Sequence, residues 1–126
     1  VMQRQNMGGS LIFIGTKNIP APGHSFGAYS AAKSAEAQLA RILALEGGPF
    51  GIRSNIINPD AIFQGSQLWS ESLKKQRAET YGIKIDELES YYHERNILKK
   101  QITAEDVAET ALFLALLLLV IYQLCI

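Results

Sequence analysis

One cysteine, Cys125, is all the thiol chemistry that the 126 residues contain. It can close no internal disulfide, and no second cysteine stands at the spacing a structural zinc needs. Charge of a single sign is equally scarce. The 12 Lys and Arg balance the 12 Asp and Glu, no long block of like charge interrupts them, and the electrostatic footprint of nucleic-acid binding is missing. There are two histidines; His93 has no second His or Cys at ligand spacing, so no metal is expected, and His24 reads as a solvated loop residue or, alternatively, one lining a cleft. Position 1 is Val, which reads as a cut end, and the first ten residues lack both the basic stretch and the apolar run of a signal peptide. With the lone cysteine, this points to the cytoplasm. Internal repeats and low-complexity linkers are absent too.

Hydrophobic residues make up 48% of the chain, too many for a disordered segment and enough for one compact domain. Residues 111–122 read ALFLALLLLVIY, an unbroken apolar run. A bilayer span needs ~20 such residues, so this length reads first as a buried core helix and second as a membrane anchor.

Gly8, Gly9 and Ser10 read as a turn, and residues 11–15 (LIFIG) as a strand buried on both faces, which suggests a parallel sheet. The proline- and glycine-bearing stretch 16–27 is a loop. Residues 28–46 place Ala32, Ala35, Leu39, Ile42 and Leu43 at helical spacing, and Gly47-Gly48-Pro49 ends the helix. Ile52–Ile57 (IRSNII) reads as a second strand, stopped by Asn58-Pro59-Asp60. Strand, helix, strand makes a crossover unit, in which ligands gather beyond the carboxyl ends of the strands. Residues 64–100 read as a polar insertion of small helices near Glu71–Tyr81 and residues 86–95. Trp69 with Leu68 could form a lid or pack the insertion's core, and Asp86, Glu87 and Glu89 read as a solvated face. Thr103, three residues before Asp106, signals the start of a further amphipathic helix.

Tyr29 and Lys33, four apart on the first long helix, project from one face. A phenol with a pKa near ~10 is a poor proton carrier at neutral pH, but an ammonium close by favours the phenolate. Thr16, at the end of the first strand, could donate its hydroxyl hydrogen to the same substrate oxygen. Tyr-x-x-x-Lys alone is a chance pattern in many helices. The order of buried strand, Thr16, Tyr29 and Lys33 on the small-residue helix AYSAAKSA, then a strand ending in Asn58-Pro59, is far more selective.

That order resembles the short-chain dehydrogenase/reductase family, over roughly residues 8–115. The stretches GGSLIFIGTKN, PGHSFGAYSAAKSAE, INPDAIFQGSQLWS and YGIKIDELESYYHERNILK are similar to the dehydrogenase half of bifunctional rhamnulose-1-phosphate aldolase/alcohol dehydrogenase proteins. The resemblance implies the C-terminal half of a Rossmann-like, doubly wound parallel α/β sheet, truncated at both ends. It also implies NAD or NADP as cofactor and a small carbonyl or alcohol substrate such as lactaldehyde from deoxysugar breakdown. Tyr29 would transfer the proton, Lys33 would lower its pKa and hold the nicotinamide ribose, and Thr16 would stand where the family usually has Ser. Pro59, Asp60 and the backbone of Ile62 would contact the nicotinamide, and the parent protein would be a homo-oligomer paired through the helix that bears Tyr29.

Thr16 keeps the serine hydroxyl but adds a methyl, and Asp60 replaces the glycine of the family's Pro-Gly. The glycine-rich turn that cradles the dinucleotide pyrophosphate is absent from the 126 residues, as are the upstream Asn of the active site and the aldolase half. Residues 1–115 thus read as a partial dehydrogenase domain and 116–126 as an atypical apolar tail of frameshift or scar origin. The isolated chain is expected neither to bind NAD(H) tightly nor to turn over substrate. The rival readings are a non-catalytic remnant or interaction fragment, and a membrane-anchored protein.

Overall fold

A computed structural model describes residues 1–116. The described residues form two compact units, one of residues 1–60 together with 107–116, the other Ala61–Asp106. The first unit holds a short helix α1 (Met2–Gln5), strand β1 (Gly9–Ile14), the long helix α2 (Gly27–Gly47) and strand β2 (Ile52–Ile57). The second holds α3 (Glu71–Tyr81) and α4 (Leu88–Glu94), and helix α5 (Ala104–Ala115) begins in the second unit and continues into the first.

β1 and β2 pair in parallel, Gly9 opposite Ile52 through to Ile14 opposite Ile57. The strand, helix, strand order expected from the sequence is therefore present. β1 starts two residues earlier than its apolar run suggests because the Gly9 N–H donates to the Gly51 carbonyl, drawing Gly9 and Ser10 into the pairing. It is also half-buried rather than covered on both faces, with Ile14 43% exposed. Each strand has one paired neighbour among the described residues, so half of its backbone edge is open.

Alternation along β2 fixes which helix covers which face. Arg53 reaches α5 and its neighbour Ser54 reaches α2, so the two helices lie on opposite faces of the sheet. α2 sits down through its small residues: Ala37, Ala40 and Gly47 are buried, and the Ser54 hydroxyl donates to the Ala40 carbonyl at 2.9 Å. Of the residues at helical spacing, Leu43 is half-buried while Ala32, Ala35, Leu39 and Ile42 are exposed; a bulky residue at the contact would hold the helix off the distance that the Ser54 bond requires. The helix stops at Gly47, as the Gly47-Gly48-Pro49 stretch suggests, but the chain does not turn there. It continues through a 3₁₀ turn (Gly48–Phe50) with Pro49 in its first positions, and reverses at Gly51, whose φ of 66° suits glycine.

Arg53 is buried, and its guanidinium donates to the Leu114 carbonyl at 2.8 Å and the Leu116 carbonyl at 3.2 Å. Its register partner Ser10 donates to the same Leu114 oxygen at 3.1 Å. The end of α5 is thereby capped by a cation and a hydroxyl from neighbouring strands, which satisfies carbonyls that a helix terminus leaves open and complements its negative pole. At the other end, Thr103 and Asp106 form the reciprocal cap expected from their spacing, each side chain accepting the other's backbone N–H at 3.1 and 2.8 Å. Among the described residues no helix is long and apolar enough to cross a membrane. The rest of the apolar run, residues 117–126, lies outside the described residues, and so does nearly all of the expected atypical tail.

The second unit is organised by aromatic residues. Phe63 stacks on Trp69 with centroids 4.2 Å apart, Tyr92 meets both rings edge-on, and Leu88 completes the core. Trp69 therefore packs the core of the insertion, while Leu68 is exposed. The single helix expected over residues 86–95 is a 3₁₀ turn (Ile85–Glu87) followed by α4. Arg77 is buried; it donates to the Tyr81 hydroxyl at 2.6 Å, and the Tyr92 hydroxyl lies 3.3 Å from that of Tyr81. Burial, then its hydrogen bond to Tyr81, pushes the Tyr92 phenol up to about 12. Burial also raises Tyr81, but bonds from Tyr92 and Arg77 and the charges of Arg77 and Arg95 outweigh it, leaving that phenol below the ordinary tyrosine value.

Two outcomes are expected. Arg53→Met leaves the last carbonyls of α5 without their charged donor and lowers stability by about 2 kcal/mol; a urea unfolding midpoint unchanged from wild type would contradict this. Between an unfolded pKa of 10.0 and a folded one of about 12, Tyr92 binds its proton more tightly in the folded state. Its contribution is thus present in full below pH 10 and is lost as pH rises toward 12. Tyr92→Phe should flatten that alkaline loss in a urea series read across pH.

Candidate active site

The carboxyl ends of β1 and β2 stay joined beyond the last strand residues. The Gly15 N–H donates to the Ile57 carbonyl at 2.8 Å, the Thr16 N–H to the Asn58 side-chain oxygen at 3.1 Å, and the Lys17 N–H to the Pro59 carbonyl at 3.0 Å. The Lys17 ammonium also lies 3.9 Å from the Asp60 carboxylate. Residues 15–17 are thus fastened step by step to residues 57–60. A Cβ on Gly15 would stand 2.4 Å from the Asn58 Oδ1 and 2.8 Å from the Ile56 Cδ1, so a larger residue would displace both side chains. Glycine there lets Asn58 reach across to Thr16.

Thr16 is buried, and its hydroxyl oxygen accepts from the Asn18 N–H at 3.3 Å while its carbonyl accepts from the Ile19 N–H at 3.0 Å. With an acceptor position filled by the backbone, the hydroxyl keeps its hydrogen to give away. That is the role the sequence suggests for it.

α2 begins after Phe26 without a side-chain cap, the Ser30 N–H closing the first turn on the Phe26 carbonyl at 2.8 Å. Tyr29 lies in this first turn, half-buried, its ring 5.8 Å from that of Phe26. Lys33, one turn further, donates to the Ile14 carbonyl at 2.8 Å and to the Glu36 carboxylate at 2.7 Å. The lysine of the sequence pattern is therefore bonded to the strand that carries Thr16, at the last residue of β1.

Thr16, Lys33, Pro59 and Asp60 all belong to the carboxyl ends of the strands or bond to them, and Tyr29 stands one turn from Lys33. Ile62 is half-buried and belongs to the second unit. Sequence reasoning passed over three participants: Glu36, the Asn58 side chain and the main-chain carbonyl of Ile14. Glu36 was open to detection, since a carboxylate three residues after Lys33 shares its helix face. Asn58 reads in the sequence only as part of the strand end. The Ile14 carbonyl carries no sequence signal.

Of the remaining candidates, His24 is exposed in the loop before α2, with the Ser25 hydroxyl 3.5 Å from its ring. His93 lies 3.9 Å from Glu89, and among the described residues no cluster of His, Cys, Asp and Glu could hold a metal ion.

A family profile described as enoyl-(acyl carrier protein) reductase matches residues 1–118. The uncharacterized oxidoreductase YuxG of Bacillus subtilis (strain 168) is 47% identical over 114 residues, covering 90% of this chain and 16% of that protein. Sorbitol-6-phosphate 2-dehydrogenase SrlD from Erwinia amylovora superimposes with a TM-score of 0.85 at 30% identity, over 95% of this chain and 46% of that one. Two structures at 18% identity, an actinorhodin polyketide ketoreductase with NADPH and an NAD+-bound xylitol dehydrogenase, share the fold, with TM-scores of 0.77 and 0.72. The chain spans about a sixth of YuxG and less than half of SrlD. The parallel strand pair with helices on both faces, the Tyr29 and Lys33 helix fastened to its strand end, and the match along nearly the whole chain have one meaning: this chain belongs to the short-chain dehydrogenase/reductase family of NAD(P)-dependent oxidoreductases.

Proposed function

We propose that the chain supplies the proton-transfer centre and the nicotinamide end of an oxidoreductase that interconverts a small hydroxy compound and its carbonyl form. The observation that carries this reading is the bond from the Lys33 ammonium to the Ile14 carbonyl. It ties the helix bearing Tyr29 to the strand end after which Thr16 follows, so a phenol, an ammonium and a hydroxyl belong to one fastened framework.

The donor set suits the nicotinamide ribose. An ammonium has three N–H donors, and two of those on Lys33 are engaged, by Ile14 and Glu36. The third can meet a ribose hydroxyl. Pro59, Asp60 and the backbone of Ile62 would flank the nicotinamide, as the family resemblance implies. When bound, NAD or NADP supplies or accepts the hydride. The residues of this chain handle the proton: Tyr29 gives it to the substrate oxygen during reduction and takes it back during oxidation. The Thr16 hydroxyl donates a hydrogen bond that holds the substrate oxygen in line.

A sugar-derived substrate is supported by the name of one solved relative, a sorbitol-6-phosphate 2-dehydrogenase, and by the four sequence stretches that resemble the bifunctional rhamnulose-1-phosphate aldolase/alcohol dehydrogenase branch. On that basis we assign a small aldehyde or its alcohol, with lactaldehyde as the first candidate, and a place in deoxysugar breakdown in the cytoplasm. Pairing of subunits through α2 is supported by its exposed Leu39, Ile42 and Leu45.

In the whole protein, Tyr29→Phe abolishes turnover while the far-ultraviolet circular dichroism spectrum stays unchanged; near-normal rates in the variant would overturn the assignment. Gly15→Ala forces the Asn58 side chain away from the Thr16 N–H, and turnover should fall at least about tenfold, the cost expected when a catalytic donor is misplaced by an ångström. Unaltered kcat in that variant would remove Thr16 from the scheme.

A further inference from the structure

Lys33 has a partner that the mechanism above does not use. Glu36 follows it by three residues on α2, and its Oε2 lies 2.7 Å from the Lys33 Nζ, a short charge-assisted contact between two half-buried side chains. The same Nζ donates to the Ile14 carbonyl at 2.8 Å. A lysine side chain has four rotatable bonds and about 2 kcal/mol of rotamer entropy to lose. One carbonyl acceptor alone leaves the ammonium free to pivot about that bond; two acceptors from different elements, strand and helix, define its position.

We propose that Glu36 is a positioning residue for Lys33: its carboxylate and the Ile14 carbonyl together hold the ammonium at the strand end, leaving the third N–H for the ligand. This rests on the assignment of Tyr29 and Lys33 above and extends it. Tyr29, Lys33 and Glu36 fall at successive turns of one helix face, so the helix that carries the proton donor also carries the group that steadies its lysine. The other charged side chains at the strand ends, Lys17 and Asp60, pair with each other at 3.9 Å. The Glu36 contact therefore makes a specific claim: the side chain of Lys33 is ordered before any ligand arrives.

The test has one arm without catalysis and one with it. In the 126-residue chain, the rate of competitive acetylation of Lys33 is measured by mass spectrometry against exposed Lys75 as an internal reference. In wild type Lys33 should react more slowly than Lys75. Glu36→Ala should raise the Lys33 rate by about tenfold, because loss of one charge-assisted hydrogen bond leaves the amine free to meet the reagent. Glu36→Gln, which keeps an acceptor oxygen but not the charge, should fall between the two. In the whole protein, Glu36→Ala should lower kcat and raise KM for the nucleotide, and Glu36→Gln should recover most of the loss in kcat. Lys33 labelling that is the same in all three forms, or a Glu36→Ala enzyme with unchanged kcat and KM, overturns the proposal. Full activity in Tyr29→Phe would instead defeat the underlying assignment, whatever the labelling shows, so the two failures are distinguishable.

Discussion

Parallel pairing of two short strands is the constraint from which the rest of this structure follows. Because β1 and β2 run the same way, their carboxyl ends arrive together, and the backbone and side-chain bonds of residues 15–17 to residues 57–59 keep them together past the last strand residue. An antiparallel pair would have put Thr16 at the far end from Asn58. The same pairing sets Ser10 beside Arg53, and the two cap a single carbonyl of α5. It also leaves Ser54 on the opposite face, where it bonds the backbone of α2. One register thus decides which helix covers which face and where the chemistry gathers.

The packing of α2 follows from the same geometry. Its contact face is made of Ala37, Ala40 and Gly47 because a hydroxyl on β2 must reach a helix carbonyl at hydrogen-bonding distance, which large side chains would prevent. The bulkier Leu39, Ile42 and Leu45 are left outward. The first turn of this closely held helix carries Tyr29, and its second turn carries Lys33, anchored to the end of β1. On the proposed assignment, the placement of Tyr29 is therefore a consequence of small-residue packing as much as of the polar bonds at the strand ends.

Much of this could be read from the residues in advance, and the failures have physical causes. Ile52–Ile57 and Glu71–Tyr81 appear with the bounds their patterns suggest, since a proline bounds one and Ser70 with Gly82 bounds the other. Gly9 and Ser10 look like a turn yet belong to β1, because backbone pairing with the neighbouring strand overrides local preference. The apolar spacing in α2 marks a helix without marking its buried face, for periodicity counts hydrophobic residues and is blind to how close a helix must sit; Ala37 and Ala40 are buried while Leu39 and Ile42 are exposed. Of the candidate site, the order along the chain singles out Tyr29, Lys33 and Thr16, and the structure fastens Lys33 and Thr16 to the strand ends. Asn58 and the Ile14 carbonyl are not singled out, since one is a common strand terminator and the other is main chain.

The central claim is that the Lys33 ammonium is bonded to the Ile14 carbonyl and so joins the helix of Tyr29 to the sheet. Nuclear magnetic resonance of isotopically labelled chain tests it most directly, by looking for a scalar coupling between the Lys33 Nζ and the Ile14 carbonyl carbon across the hydrogen bond. A measurable coupling, with the Lys33 ammonium protons exchanging more slowly than those of exposed Lys75, is the result the account predicts. No coupling, with Lys33 averaged like Lys75, would contradict it.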